Sequence, residues 1–168
     1  SVFGDDMAGQ RLWQSCLDGG VRLDHAITRK GGKTDSYVSI HDGKGEMYVA
    51  MHQMGLIDSM TPAILDAINP VIAAADALVV DANLPVEMLV ALFERAGDKA
   101  VFCDCVSALK ATKLIPFLGQ ITCLKANMAE ARVLTRLDYG AETNALLSAM
   151  RLSGVEQIIL SDGANGFV

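Results

Sequence analysis

Ala77-Leu78-Val79-Val80-Asp81 is a short apolar run closed by a carboxylate; Val86 to Ala96 follows with helical periodicity, and Ala100 to Asp104 repeats the apolar run. Runs this short and continuous predict strands covered on both faces, and the helix between them predicts a right-handed crossover joining parallel neighbours. The alternation continues downstream. Ala108 to Leu118 reads as helix disturbed near its end by Pro116, Ile121 to Leu124 as strand, Met128 to Leu134 and Glu142 to Leu152 as helices, and Gln157 to Leu160 as a fourth strand. Upstream, Thr61-Pro62 opens a helix that Asn69-Pro70 breaks or restarts. From Thr61 onward the expectation is α/β, a parallel sheet flanked by helices.

Before Thr61 the periods differ. Asp5 or Asp6 can cap a helix from Gly9 to Asp18, whose Leu12, Trp13, Cys16 and Leu17 recur at helical spacing and which Gly19-Gly20 ends. Between Ala26 and Gln53 the period is two. Val38 and Ile40 alternate with Tyr37, Ser39 and His41, and Met47, Val49 and Met51 alternate with Tyr48, Ala50 and His52, with Asp42-Gly43-Lys44-Gly45 as the turn between them. This predicts a small antiparallel hairpin. Val2-Phe3 at one end and Gly166-Phe167-Val168 at the other are apolar and strand-like, so the chain is expected to be a piece of a longer one.

Composition narrows the function. The 168 residues carry 14 Lys+Arg against 20 Asp+Glu, a net charge of −6, with 51% hydrophobic residues. That is too apolar for a disordered chain and too acidic for sequence-independent nucleic-acid binding. The apolar stretch from Ile64 to Val80 is interrupted by Asp66, Asn69, Pro70 and Asp76, short of the roughly 18 to 20 residues a membrane helix needs, so no membrane partner is expected. The first residues show no export signal, and Cys16, Cys103, Cys105 and Cys123 form neither a disulfide-like spacing nor a CxxC pair. Buried thiols in a reducing, cytoplasmic setting follow. Cys103 and Cys105 would share a strand face, but no second Cys/His pair completes a metal site, and His25, His41 and His52 offer no pair with ligand geometry; His41 should fall opposite Glu46 or Met47. The methionines Met47, Met51 and Met54 read as flexible packing, with contact to a ligand as the sharper option.

In parallel α/β sheets ligands sit beyond the carboxyl ends of the strands. Those ends here are Asp81-Ala82-Asn83, Asp104-Cys105-Val106-Ser107, Lys125-Ala126-Asn127 with Glu130 one turn on, and Ser161-Asp162-Gly163-Ala164-Asn165-Gly166. One polar strand end is ordinary loop and cap chemistry, but four together favour a site. Asn127 and Glu130 fit two readings equally by spacing: a capping pair, or an acidic residue beside a helix N-terminus holding hydrated Mg²⁺ while the helix amides attract phosphate.

On these residues the chain resembles the PfkB, or ribokinase-like, family of carbohydrate and nucleoside kinases. Lys125-Ala126-Asn127-Met128-Ala129-Glu130 is similar to the family's Lys-Pro-Asn-x-x-Glu motif, with Ala126 where Pro is usual. Ile159-Leu160-Ser161-Asp162-Gly163-Ala164-Asn165-Gly166 resembles its glycine-bearing nucleotide loop, and Gly4-Asp5-Asp6 with Gly9 and Gly20-Val21 fits the pattern upstream of its lid. Val106-Ser107-Ala108-Leu109-Lys110-Ala111-Thr112-Lys113-Leu114 and the passage from Met54 to Thr61-Pro62 are most similar to the pseudouridine kinases of that family. The likeness covers essentially all 168 residues.

The resemblance implies a ribokinase-like fold: one α/β kinase domain over 1–168, incomplete at both ends, with a lid-forming β hairpin within 25–54. It implies ATP-dependent phosphoryl transfer to a primary hydroxyl of a nucleoside or sugar, pseudouridine foremost, with ATP and Mg²⁺ as cofactors and a monovalent cation as an optional third. Asn127 and Glu130 would organise the metal and the transferred phosphates, Ser161 and Gly163 would meet the nucleotide, and Lys110 would be a phosphate partner. Asn83 and Asp104 would line the substrate cleft, and Tyr37, Val49 and Met51 would belong to the lid, covering substrate or forming a homodimer contact. The family's Gly-Gly substrate motif should precede Ser1, and its Gly-Ala-Gly-Asp segment, which supplies the anion hole and catalytic aspartate, should follow Val168. No catalytic base is assignable here, Asp162 belonging to the nucleotide loop, so these 168 residues alone are expected to be inactive. A sugar kinase of other specificity and a non-catalytic binding protein on the same fold are the alternatives.

Overall fold

The computed structural model describes residues 1–43, 45 and 47–168. They divide into two compact units, Ser1–Met60 and Thr61–Val168.

In the first unit β1 (Val2–Gly4) pairs in parallel with β2 (Ile27–Arg29), and α1 (Met7–Asp18) lies between them in sequence. Asp6, not Asp5, caps α1: its carboxylate accepts from the Gly9 amide at 2.9 Å, the Thr34 hydroxyl at 2.6 Å and the Thr34 amide at 3.1 Å. The Thr34 hydroxyl, foremost, and these amides hold the Asp6 carboxyl below its ordinary 3.8. Gly9 is obligatory in this arrangement, because a Cβ there would sit 2.1 Å from the Gly4 carbonyl oxygen. Asp35 serves α2 (Gly55–Asp58) from a distance, accepting from the amides of Leu56 and Ile57 at 2.8 and 2.9 Å.

The hairpin is shorter than its period suggested. It comprises β3 (Ser36–His41) and β4 (Met47–Gln53), antiparallel, whereas Ile27 to Arg29 belongs to the β1 pairing. The register shifts between Ile40 and His41, which sets His41 opposite Met47. Within the expected turn Asp42-Gly43-Lys44-Gly45, Lys44 lies outside the described residues, as does Glu46. Val38 pairs with Met51 and Tyr37 with His52, so alternation puts Tyr37 and Met51 on opposite faces of the ribbon. Both are exposed.

The second unit is the predicted parallel sheet, in order β5-β6-β7-β8: β5 (Ala77–Asp81), β6 (Ala100–Asp104), β7 (Cys123–Asn127) and β8 (Gln157–Ser161). α3 (Ala63–Ala74) runs through Pro70 without a break. Proline removes only its own amide from the hydrogen-bond ladder, and Leu65 and Ile72 are buried on either side of it. α4 (Val86–Ala96) carries Leu89, Phe93 and Ala96 into the core. The predicted helix at 108–118 resolves into one α turn, α5 (Ala108–Ala111), and a 3₁₀ stretch, Thr112–Gln120, containing Pro116. Phe117 stacks on Phe93 with ring centroids 4.4 Å apart. α6 (Met128–Thr135) and α7 (Thr143–Leu152) complete the layer with Ala131, Leu134, Leu146 and Met150.

Apart from α3, these helices pack with Val80, Val101, Cys103, Leu124, Ala126 and Leu160 in one cluster. The expectation that both sheet faces are covered fails at Val79, Phe102 and Ile159, which are exposed on the other face, Val79 to 87%. An apolar run shows that both faces resist water but not that this chain's own helices cover both. No helix of the described residues is long and apolar enough to cross a membrane.

Candidate functional site

The sequence placed the third strand at 121–124, but β7 ends at Asn127. Strand and helix meet there without an intervening loop, so Asn127 is both the last residue of β7 and the N-cap of α6. Its Oδ1 accepts from the Glu130 amide at 2.9 Å, and Glu130 Oε2 accepts from the Asn127 amide at 2.8 Å, a reciprocal capping box. Glu130 is 1% exposed. The cap takes one of the two lone pairs on Oδ1, so Asn127 still offers a ligand the other lone pair and its Nδ2 donor, the latter suited to a phosphate oxygen.

In β8, Ser161 is the register partner of Asn127, and its hydroxyl leans toward the Ala126 carbonyl at 3.4 Å. The chain then turns at Gly163, whose φ of +53° is left-handed, with open space where a Cβ would stand. Backbone there can approach a ligand directly. Asn127, Ser161 and Gly163 line one open cleft of about 530 Å³, together with Arg132 and Tyr139. A smaller cavity of about 180 Å³, lined by Met128, Leu160 and Phe167 among others, shares Met128 and Asp162 with it.

The other end of the sheet is bonded to itself. Asp81 accepts from the Asn83 amide at 2.7 Å, Lys110 donates its Nζ to Asn83 Oδ1, and Lys113 donates to the Leu84 carbonyl at 2.7 Å. Asp104 accepts from the Val106 amide at 2.7 Å and pairs with Lys125 at 3.2 Å. Val106 is left-handed with φ +65°, unusual for a β-branched residue, in a tight turn closed by the Ser107 amide on the Cys105 carbonyl at 2.7 Å. Lys110 and Asn83 are thus joined directly, while Asp104, at the end of β6, is tied to Val106 and Lys125. An ammonium has three donors, so the bond to Asn83 orients Lys110 without exhausting it.

Cys103, Cys105 and Cys123 are buried free thiols, and Cys16 is half-buried. Burial, foremost, pushes the Cys103 and Cys105 thiols up to about 12, with nearby carboxylates adding to it. Among the described residues no three His, Cys, Asp or Glu gather as a metal cage. Mg²⁺, by contrast, takes hard oxygens, keeps several waters and uses one or two carboxylates plus substrate phosphates. The Glu130 carboxylate and Asn127 amide oxygen fit that donor chemistry.

Arg132 and Tyr139 are site-lining residues that the sequence reading missed. The guanidinium lies 4.7 Å from the Tyr139 ring centroid, and its Nε is buried without a hydrogen-bond partner. Helical spacing from Met128 and Ala129 could have flagged Arg132. Tyr139 had no such signal, because it returns to the helix only after the left-handed Arg136 ends α6.

A parallel sheet whose carboxyl edge carries a capped acidic motif beside a glycine turn matches a known architecture. The chain belongs to the pfkB family of carbohydrate kinases, whose family model matches residues 1–168. It is 34% identical over 168 residues to the pseudouridine kinase of Escherichia coli, covering 99% of this chain and 54% of that protein. It is 28% identical over 162 residues to the uncharacterized sugar kinase YeiI of the same organism, covering 95% of this chain and 45% of that protein. The chain therefore spans about half the length of the curated relatives it matches. Ribokinase of Arabidopsis thaliana, solved with ribose and ATP, superposes with a TM-score of 0.78 at 18% identity, covering 99% of this chain and 55% of that one, a likeness of fold.

Proposed function

We propose that this chain carries the nucleotide-binding side of a kinase that transfers the γ-phosphoryl group of ATP to a primary hydroxyl of a nucleoside or sugar, with pseudouridine the favoured acceptor. The observation that carries this reading is the register pairing of Asn127 with Ser161, which sets the capping box of α6 beside the Gly163 turn on one cleft. Transfer of this kind needs little covalent participation from protein; it needs phosphates positioned and their charge stabilised. In this reading the Gly163 backbone and the Ser161 hydroxyl seat the phosphates, and Asn127 Nδ2 donates to them. The buried Glu130, with Asn127, holds Mg²⁺, which when bound neutralises developing phosphate charge. Lys110 adds a cation from the neighbouring strand end, and Asn83 and Asp104 face the acceptor. The hairpin is the lid in this reading, and because Tyr37 and Met51 lie on its opposite faces, one of the two covers substrate to exclude water. No proton acceptor is assigned within the 168 residues.

The pseudouridine kinase relative supports the acceptor, and the YeiI likeness supports a sugar as the second reading. The test is ADP release by the intact protein with Mg²⁺ and ATP, comparing pseudouridine, other nucleosides, ribose and fructose. Release that depends on acceptor and is fastest with pseudouridine is expected. Faster release with a sugar moves the acceptor to the second reading, and release with none of them sinks the kinase assignment in favour of a non-catalytic binding protein.

A further inference from the structure

We infer that Arg132, held by Tyr139, binds the phosphates of the nucleotide in the cleft beside Asn127 and Ser161. The inference rests on the kinase reading and adds to it a residue that discriminates charged from uncharged nucleotide species. Arg132 follows Met128 and Ala129 by four and three residues on α6, so the helix turns all three to the side on which the cleft opens. Its guanidinium carries a full charge that no ion pair among the described residues neutralises. Its Nε is buried without an acceptor among the described residues, a state that costs free energy and that a shift of the side chain onto an anionic oxygen in the cleft would relieve.

Tyr139 explains why the side chain stays there. The ring is 87% exposed and its contact with the guanidinium, at 4.7 Å, fixes the plane of the donor fork before any ligand arrives. Arg132 is also the one basic side chain lining this cleft among the described residues, opposite a carboxylate, Asp162, that already accepts from Asn165 Nδ2 at 2.9 Å. A purely structural clamp between α6 and the segment after it would not need an unsatisfied donor in a cleft of about 530 Å³.

The experiment is calorimetric binding of ADP, AMP and adenosine to the intact protein, wild type against Arg132→Gln, Arg132→Lys and Tyr139→Leu, with a melting curve for each. Arg132→Gln should weaken ADP about tenfold or more, AMP less, and adenosine not at all. Arg132→Lys, which keeps the charge but not the planar fork, should recover part of the loss, and Tyr139→Leu should show a smaller loss of the same phosphate dependence. Equal weakening of ADP and adenosine would make the pair a base-stacking platform and overturn the phosphate assignment. Equal loss in Arg132→Gln and Arg132→Lys with a lowered melting point would make Arg132 structural. Unchanged ADP binding in Arg132→Gln would refute the inference and leave the kinase reading standing, whereas a wild type that binds no nucleotide would remove both.

Discussion

The two halves of the parallel sheet present similar residues at the same edge and use them differently. At the β5–β6 end the polar groups are spent on one another: Lys110 on Asn83, Lys113 on the Leu84 carbonyl, Lys125 on Asp104. At the β7–β8 end Asn127 and Glu130 satisfy each other's backbone, and that leaves the Asn127 Nδ2, the Gly163 backbone and the Arg132 guanidinium facing open volume. The first edge orients its side chains against one another, as Asn83 orients Lys110, whereas the second leaves donors without protein partners. Both halves use short-range capping, but only the second has a glycine turn in place of a lysine-tied loop.

The largest expected effect of breaking that contrast is at Glu130. Glu130→Gln keeps an oxygen for the Asn127 amide and removes the charge, so turnover in the intact protein should fall about 10²–10³-fold while the melting point barely moves. A variant that melts early and loses activity only in proportion would place Glu130 in the cap alone. Asn127→Ala comes next. It deletes the cap acceptor as well as the donor in the cleft, costing about 1 kcal/mol, or about 2–4 °C in a chain of this size, together with a raised KM for ATP. An unchanged KM with the expected melting shift would separate the cap from nucleotide binding.

What the residues disclosed before folding follows the range of each interaction. The capping box spans three residues and the strand–helix alternation is periodic, so both were legible. Lys110 and Asn83 are 27 residues apart, and Asp35 reaches α2 from 21 residues upstream of Leu56. Nothing local encodes such partners. The β1–β2 pairing was missed because strands of three residues are too short to show a period. The end of β7 was hidden by Lys125, a charged residue inside a strand, whose ammonium reaches Asp104 at the sheet edge. The exposure of Val79, Phe102 and Ile159 was illegible for a related reason: an apolar run reads the same whether or not helices of this chain cover every residue of its second face.

At the self-bonded end the effects should be smaller, and Lys110 is the most informative residue. Lys110→Met removes the cation and the tie to Asn83 while keeping the aliphatic stem. If Lys110 reaches phosphate as well as Asn83, kcat/KM for ATP should fall about tenfold. If the tie is its whole role, ATP kinetics should hold and the loss should appear as a higher KM for the acceptor, because Asn83 would be the group set free.

Lys125 and Asp104 should matter least to stability, and their response to salt sharpens the contrast further. Both side chains are about two-fifths exposed, at 43% and 44%, so the pair is worth about 0–1 kcal/mol and is screened by added salt. Lys125→Met should therefore change the melting point by less than the Asn127 variant does, and by less again at high ionic strength. Asp104 keeps its second anchor, the Val106 amide, when Lys125 is removed, so the left-handed turn at Val106 should survive. A large melting loss that persists in high salt would mean instead that the ion pair holds this strained turn in place, and the β5–β6 edge would then be a stressed element rather than a passive frame.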